Sequence, residues 1–394
     1  MYILMKTFHI KTYGCQMNVH ESQKVQKLLE REGFSYAESE DLSDIVIFNT
    51  CTVRNTAEEK IISHIGNIHK EKRDGRRVVI AIVGCLSQRD GVGKSLMKKF
   101  PHLDIILGTH NISQICNAIK LAMSNKKTLD IIDKRQNDDD EFDNLVSLDD
   151  PTKPNTHYIN ITYGCDNFCT YCIVPYVRGR LVCREISEIE KEFNKVYESI
   201  KDREEQQIIY LLGQNVNSYL CPHTDIDFTR LIKRLAKKIG ASNVLINFLS
   251  SHPKDFSKEL ADLIACTPQI ERNIHLPIQN GCDKILKAMN RGYSVVEFAA
   301  KINYLRKVCP DVKITTDIIC GFPGETEEDF TETVTMVKNI RFNAAFIFPY
   351  SKRTGTVADK MENQIDTKTK KQRTTELIKI QREISKSIDG LNKN

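Results

Sequence analysis

Strand-like apolar runs that end in cysteine constrain this chain more than any other feature. Four strand-like runs, Phe8–Tyr13, Ile45–Asn49, Val78–Val83 and Ile105–Leu107, alternate with amphipathic stretches such as Glu21–Glu32 and Ala57–Glu71. Strand–helix alternation predicts a parallel sheet with helices on both faces. Three of the runs lead directly into a cysteine, in Tyr13-Gly14-Cys15, Asn49-Thr50-Cys51 and Gly84-Cys85. Ligands of open α/β sheets bind outside the carboxyl ends of the strands. Cys15, Cys51 and Cys85, distant in sequence, are therefore expected at one sheet edge. A lone strand-end cysteine is usually a small buried hydrophobe. Three at equivalent positions make a stronger signal.

The alternation returns after residue 157. Candidate strands are Tyr158–Thr162, Ile208–Leu212, Leu245–Leu249, Asn273–Leu276, Lys313–Ile319 and Ala344–Phe348, with helical patterns between them. Six βα units predict a partial (β/α)6 barrel with its site at the carboxyl ends of the strands. The fold class is thus α/β: an N-terminal open parallel-sheet domain followed by a partial barrel. Residues 6–125 form the first domain. Residues 126–156 are read as an acidic linker, with Asp138, Asp139, Asp140, Glu141, Asp143, Asp149 and Asp150 and two prolines. The barrel spans 157–365. Residues 366–394 form a basic amphipathic helix, in which Leu377, Ile380, Ile384, Ile388 and Leu391 step by three and four into one apolar stripe.

Directly after the first barrel strand comes Gly164-Cys165-Asp166-Asn167-Phe168-Cys169-Thr170-Tyr171-Cys172. Three thiolates at C-x₃-C-x₂-C spacing can hold three corners of a [4Fe–4S] cubane and leave one iron open. The competing readings are a zinc site or coincidence. Structural zinc takes four closed ligands, and no fourth Cys or His follows Cys172 within ten residues, Cys183 being the first downstream. The same logic makes Cys15, Cys51 and Cys85 a candidate second cluster site. Cys116, Cys183, Cys221, Cys266, Cys282, Cys309 and Cys320 read as structural or adventitious. The count of 13 cysteines is odd in a chain of 394 residues, too long to need disulfide staples, which favours metal ligation over disulfide bonding.

Composition narrows the partners. The net charge of +5 is compatible with a nucleic-acid partner without requiring one. No run of eighteen apolar residues exists to span a membrane, and Met1–Ile10 is not a convincing signal peptide, so a cytoplasmic location is expected. Arg178, Arg180 and Arg184 follow the cysteine loop, where they would meet phosphate or form solvated surface.

The sequence resembles the radical S-adenosylmethionine methylthiotransferases over about residues 6–385. The superfamily's mark is Cys165, Cys169 and Cys172 at the end of the first barrel strand. Thr12-Tyr13-Gly14-Cys15-Gln16-Met17-Asn18 is worded like the branch that acts on isopentenylated tRNA adenosine. Leu212-Gly213-Gln214-Asn215-Val216-Asn217-Ser218-Tyr219 and Ser250-Ser251-His252-Pro253 follow. His275-Leu276-Pro277-Ile278-Gln279-Asn280-Gly281 and the run from Thr316 through Gly321-Phe322-Pro323-Gly324 to Thr326 complete the order.

The resemblance implies a radical SAM barrel with two [4Fe–4S] clusters and S-adenosylmethionine as cofactors. Cys165, Cys169 and Cys172 would be catalytic, making a 5′-deoxyadenosyl radical that takes hydrogen from C2 of the adenine. Cys15, Cys51 and Cys85 would hold the cluster that carries sulfur. Tyr171 could lie against the cofactor's adenine. Gln214, Asn215, Ser251 and Gln279 could face the cofactor from strand ends, or simply satisfy loops. Gly321 and Gly324 allow close backbone approach to a ligand.

Implied partners are the tRNA anticodon stem-loop, an electron donor such as a flavodoxin or ferredoxin, and a sulfur source; no membrane is implied. The family's usual C-terminal RNA-binding module, the TRAM domain, would begin after the last helix, and the sequence stops at Asn394. Rival readings keep the chemistry on threonylcarbamoyl-adenosine in tRNA or a ribosomal-protein aspartate. A different rival is a truncated inactive paralogue or iron–sulfur carrier.

Overall fold

A computed structural model describes residues 7–52, 55–132, 142, 145, 153–240 and 242–391. The first domain comprises β1 (Thr7–Thr12), α1 (Gln16–Arg31), β2 (Ser35–Tyr36), β3 (Ile45–Thr50), α2 (Asn55–Arg73) and β4 (Val79–Gly84). It continues through α3 (Cys85–Gln88), α4 (Val92–Lys99), β5 (Ile105–Leu107), α5 (Ile115–Met123) and β6 (Thr128–Asp130). The six strands form one wholly parallel sheet in the order β2-β1-β3-β4-β5-β6. Strands β3 and β4 are buried along their whole length, as strands covered on both faces must be. Ile45, Ile47, Ala81 and Val83 pack on one face, and Val46, Phe48, Ile80 and Ile82 on the other.

Two short strands of the first domain escape sequence reading. Ser35–Tyr36 is too brief to show a period, and Thr128–Asp130 pairs with β5 inside the stretch expected to be linker. Phe142 and Leu145, also from that stretch, are buried in the first domain's core. The acidic run itself lies almost wholly outside the described residues.

The second half contains β7 (Thr156–Asn160), β8 (Thr162–Tyr163), α6 (Val174–Arg178), β9 (Val182–Cys183), α7 (Ile186–Ile200), β10 (Gln207–Leu212), α8 (Phe228–Lys238) and β11 (Val244–Phe248). It ends with α9 (Lys258–Cys266), β12 (Asn273–His275), α10 (Asp283–Ala288), α11 (Val295–Val308), β13 (Lys313–Cys320), α12 (Glu327–Ile340), β14 (Ala344–Pro349) and α13 (Thr367–Leu391). The six barrel strands form two parallel three-stranded sheets, β7-β10-β11 and β12-β13-β14. A parallel bridge between Ile246 and Ile270 extends the first sheet toward β12. This is the expected α/β arrangement.

Helix starts obey local chemistry. Asp227, Ser257, Ser294 and Thr326 each accept a backbone N–H at a helix N-terminus, and Ser294 and Thr326 complete capping boxes with Glu297 and Asp329. Helix α13 packs on β14 and α12. It is pinned by Arg373, which reaches the buried Glu325 carboxylate at 3.0 Å. No helix among the described residues is long and apolar enough to cross a membrane.

Candidate functional site: two cysteine triads joined by one helix

The N-terminal triad is built by an asparagine lattice. Asn18, one turn into α1, donates Nδ2–H to Asn49 Oδ1 at 2.9 Å and to the Thr50 carbonyl at 3.1 Å. Asn49 answers by donating to the Asn18 carbonyl and to Ser22 Oγ. Thr50 Oγ1 donates to the Val83 carbonyl at 2.7 Å. These bonds tie the first turns of α1 to the ends of β3 and β4, and a cysteine adjoins each: Cys15, Cys51 and Cys85. Gly84 has φ +99°, and a Cβ there would lie 2.6 Å from the Thr50 carbonyl oxygen. Only glycine permits that approach. Cys51 and Cys85 are buried, while Cys15 is exposed and turns its Sγ toward Asn18 Oδ1 at 3.4 Å. Burial pushes the Cys85 thiol up to about 12, and ionised Cys51 and Cys15 would push the same way, while Arg178 opposes them.

The barrel triad sits on the loop between β8 and α6. Gly164 has φ +68°, and a Cβ would fall 2.1 Å from the Arg180 carbonyl oxygen. The loop is strapped to the end of α10. Thr170 N–H and Oγ1 donate to the carbonyls of Met289 and Ala288, and Asn290 Nδ2 donates to those of Asn167 and Phe168. Two cationic or ring nitrogens approach Cys169. Arg291 Nη1 lies 3.3 Å from its sulfur, and His252 Nε2 lies 4.0 Å away. His252 Nδ1 accepts the Lys254 N–H, so the Nε2 nitrogen carries the proton and faces the sulfur. Burial, followed by the neighbouring cations Arg291, Lys254 and Lys301, depresses His252 to about 2, so it stays neutral. Burial raises Cys165 and drives Cys172 to about 12.

Cys85, Cys165 and Cys172, held protonated in this way, are poor nucleophiles. Both triads instead suit a metal, which displaces the protons on binding. Among the described residues, no three His, Cys, Asp or Glu side chains converge tightly enough for a single ion. A cubane takes each thiolate on a different iron, so its ligands stand wider apart. Three cysteines per site, buried donors beside them and positive charge nearby fit such a group.

Helix α6 joins the sites. It starts two residues after Cys172, and its Val177, with Ile173, packs directly on Cys85. Thr109 Oγ1 donates to the Val177 carbonyl at 2.6 Å. Arg178, the last residue of α6, forks Glu21 and reaches Cys85. This corrects the expectation for the arginines. Arg178 and Arg184 are neither surface nor phosphate contacts but are buried, Arg184 pairing with buried Glu192 at 2.6 Å. Arg180 alone of the three is exposed, lying over the Phe168 ring.

The other expected site residues scatter around this junction. Gln214 touches Met17 of α1 and leaves its buried Oε1 without a hydrogen-bond partner. Asn215 donates to Asp255 at 2.6 Å, with its Oδ1 unpartnered, and Ser251 Oγ is likewise buried and unpartnered. Gln279 has φ +78° and bridges β13 through its backbone. The Tyr171 hydroxyl meets Arg291 at 3.3 Å. Gly321 makes room for Lys370 of α13, and nothing approaches within 4 Å of where a Gly324 side chain would be. The remaining cysteines lie outside both triads, and Cys282 donates to Asp329. Sequence reading missed Glu21, His20 and Arg291, because nothing in a local pattern marks an ionisable residue that will be buried.

Parallel βα units with a cysteine triad after the first barrel strand define a radical SAM protein, and residues 159–337 match the model of the Radical SAM superfamily. Residues 7–108 match the uncharacterized protein family UPF0004. A tRNA-2-methylthio-N(6)-dimethylallyladenosine synthase of Natranaerobius thermophilus is 43% identical over 96% of this chain and 82% of its own length. The synthase of the same name from Carboxydothermus hydrogenoformans is 39% identical over 99% of this chain and 86% of its own. The chain belongs to this family of synthases. Among solved structures, the radical S-adenosylmethionine methyltransferase TsrM of Kitasatospora setae, with cobalamin and a [4Fe-4S] cluster bound, superposes with a TM-score of 0.62. It is 14% identical and covers 90% of this chain and 77% of its own, so the likeness is one of fold.

Proposed function

We propose that this chain is a tRNA methylthiotransferase that adds a methylthio group to C2 of N6-isopentenyladenosine next to the anticodon. The observation that carries the reading is the linkage of two strand-end cysteine triads by one short helix, α6, which leaves one triad and ends on the other. When [4Fe–4S] clusters are bound, they supply radical generation from S-adenosylmethionine at Cys165, Cys169 and Cys172, and sulfur delivery at Cys15, Cys51 and Cys85.

The chain's own residues hold and shield these sites. Arg291 and His252 orient Cys169. The unpartnered oxygens of Gln214, Asn215 and Ser251 are buried acceptors that a bound cofactor or base would satisfy. Together with Gln279 they form the proposed cofactor wall. Tyr171 holds the loop through Arg291 and packs in one apolar cluster with Phe322 of the Gly321–Gly324 turn. The reaction needs an electron donor, such as a flavodoxin or ferredoxin, and a sulfur source, and its setting is the cytoplasm.

The test is a pair of variants. Cys51→Ala should still form 5′-deoxyadenosine with dithionite but yield no methylthiolated base, and Cys169→Ala should make neither product. Full methylthiolation by Cys51→Ala would overturn the assignment of sulfur delivery to the N-terminal triad.

A further inference from the structure

Arg178 carries a charged donor from the barrel half onto a cysteine of the N-terminal triad. Its Nη1 and Nη2 donate to the two carboxylate oxygens of Glu21 at 2.6 and 3.1 Å, and its Nε donates to Cys85 Sγ at 3.2 Å. Both charged partners are buried. A guanidinium is planar and rigid, so the fork on Glu21 fixes the direction of the Nε–H bond. Glu21 comes from α1, which begins beside Cys15, and Arg178 comes from the helix that begins beside Cys172. Apolar packing of Ile173 and Val177 on Cys85 holds the arginine's backbone in place.

We propose that Arg178 is a positioning residue for the N-terminal site, held by Glu21 so that its N–H bond orients Cys85 and raises the reduction potential of the iron–sulfur group bound there. The inference rests on the reading that Cys15, Cys51 and Cys85 hold such a group. Hydrogen bonds to the ligand sulfurs and local charge are levers on cluster potential. A donor aimed at the thiolate stabilises the extra electron of the reduced state. Glu21 limits the effect by compensating the cation. A purely mechanical ion pair between the two halves would have no such directional influence.

The two roles separate by sign. The potential is measured by redox titration with paramagnetic resonance detection, on full-length chain with Cys165, Cys169 and Cys172 all replaced by Ala, so that only the N-terminal site responds. In that background Arg178→Met should shift the potential negative, and Glu21→Gln, which leaves the cation uncompensated, should shift it positive. Arg178→Met strands a buried carboxylate, which works against folding. The double variant Glu21→Gln with Arg178→Met removes both charges, a change that buried pairs often tolerate, and it too should shift negative. Unchanged potentials with about four irons per chain retained would overturn the role of Arg178 and leave the cluster reading standing. Absence of iron in the triple-Ala background would overturn both.

Discussion

The Arg291 guanidinium lies 3.3 Å from the Cys169 sulfur and 3.3 Å from the Tyr171 hydroxyl oxygen. Its other donors go to the Pro277 carbonyl and the Tyr293 hydroxyl, both at 2.8 Å. A buried cation with neutral and sulfur neighbours is best compensated when the barrel triad is ionised around bound metal. Removal of groups that orient metal ligands typically costs about 10–100-fold in metal affinity or activity. Arg291→Gln is therefore expected to slow 5′-deoxyadenosine formation by about that factor. Iron at the N-terminal triad should be retained. Product assays and iron counts check both halves, and an unaltered cleavage rate would remove Arg291 from the site.

Gly84→Ala should act locally and strongly. The substitution puts a Cβ 2.6 Å from the Thr50 carbonyl oxygen and 2.7 Å from Asn49 Oδ1, at φ +99°. Alanine at an incompatible positive φ destabilises by more than about 1 kcal/mol. The strain falls between Cys51 and Cys85. Reconstituted iron should drop from about eight to about four per chain, the content of one cubane rather than two. Eight irons in the variant would mean that the β3–β4 ends are not part of the second site.

His20 sets a pH dependence. It is fully buried against Tyr158, and burial, with the charges of Lys24 and Arg184, lowers its pKa well below 6.5. The folded chain therefore keeps His20 neutral, while the unfolded chain takes up a proton below about pH 6.5. The unfolded state then binds more protons, and stability falls as pH drops, with a limiting slope of about 1.4 kcal/mol per pH unit from this group. Denaturant titrations from pH 7.5 to pH 5 should show a shallower loss in His20→Gln than in the parent. Equal slopes would show that His20 does not titrate on unfolding.

The last helix tests the nucleic-acid interface. Residues 366–394 carry eight Lys and Arg against four Asp and Glu, 8 − 4 = +4. Arg373 is spent on Glu325 and Glu327, and Lys370 lies over the Tyr350 ring. Lys368, Lys371 and Lys379 remain exposed. Binding of an anticodon stem-loop should weaken steeply with salt. Each Lys→Gln change that deprives a phosphate of its cation should reduce the slope of log affinity against log salt by about 0.7–0.9. A slope unchanged in the triple Lys368→Gln, Lys371→Gln, Lys379→Gln variant would place the RNA elsewhere.

Much of this molecule was legible in its sequence, because the signals are local. Ile105–Leu107 and the helix at 367–391 fall where their patterns put them, and the six barrel strands shift by no more than two residues at either end. Apolar period and strand-end position are properties of a few neighbouring residues, and the spacing of Cys165, Cys169 and Cys172 is another. The strands Ser35–Tyr36 and Thr128–Asp130 were hidden because pairing with β1 and β5, rather than their own pattern, makes them strands. The arginines show the limit most sharply. Arg178, Arg180 and Arg184 look alike in sequence, yet one clasps Glu21, 157 residues away, one is exposed and one pairs inside the barrel with Glu192. The sequence determined which thiols could gather and on what scaffold. Tertiary structure decided which charges lie beside them, because a buried charge survives only where a distant segment supplies its partner.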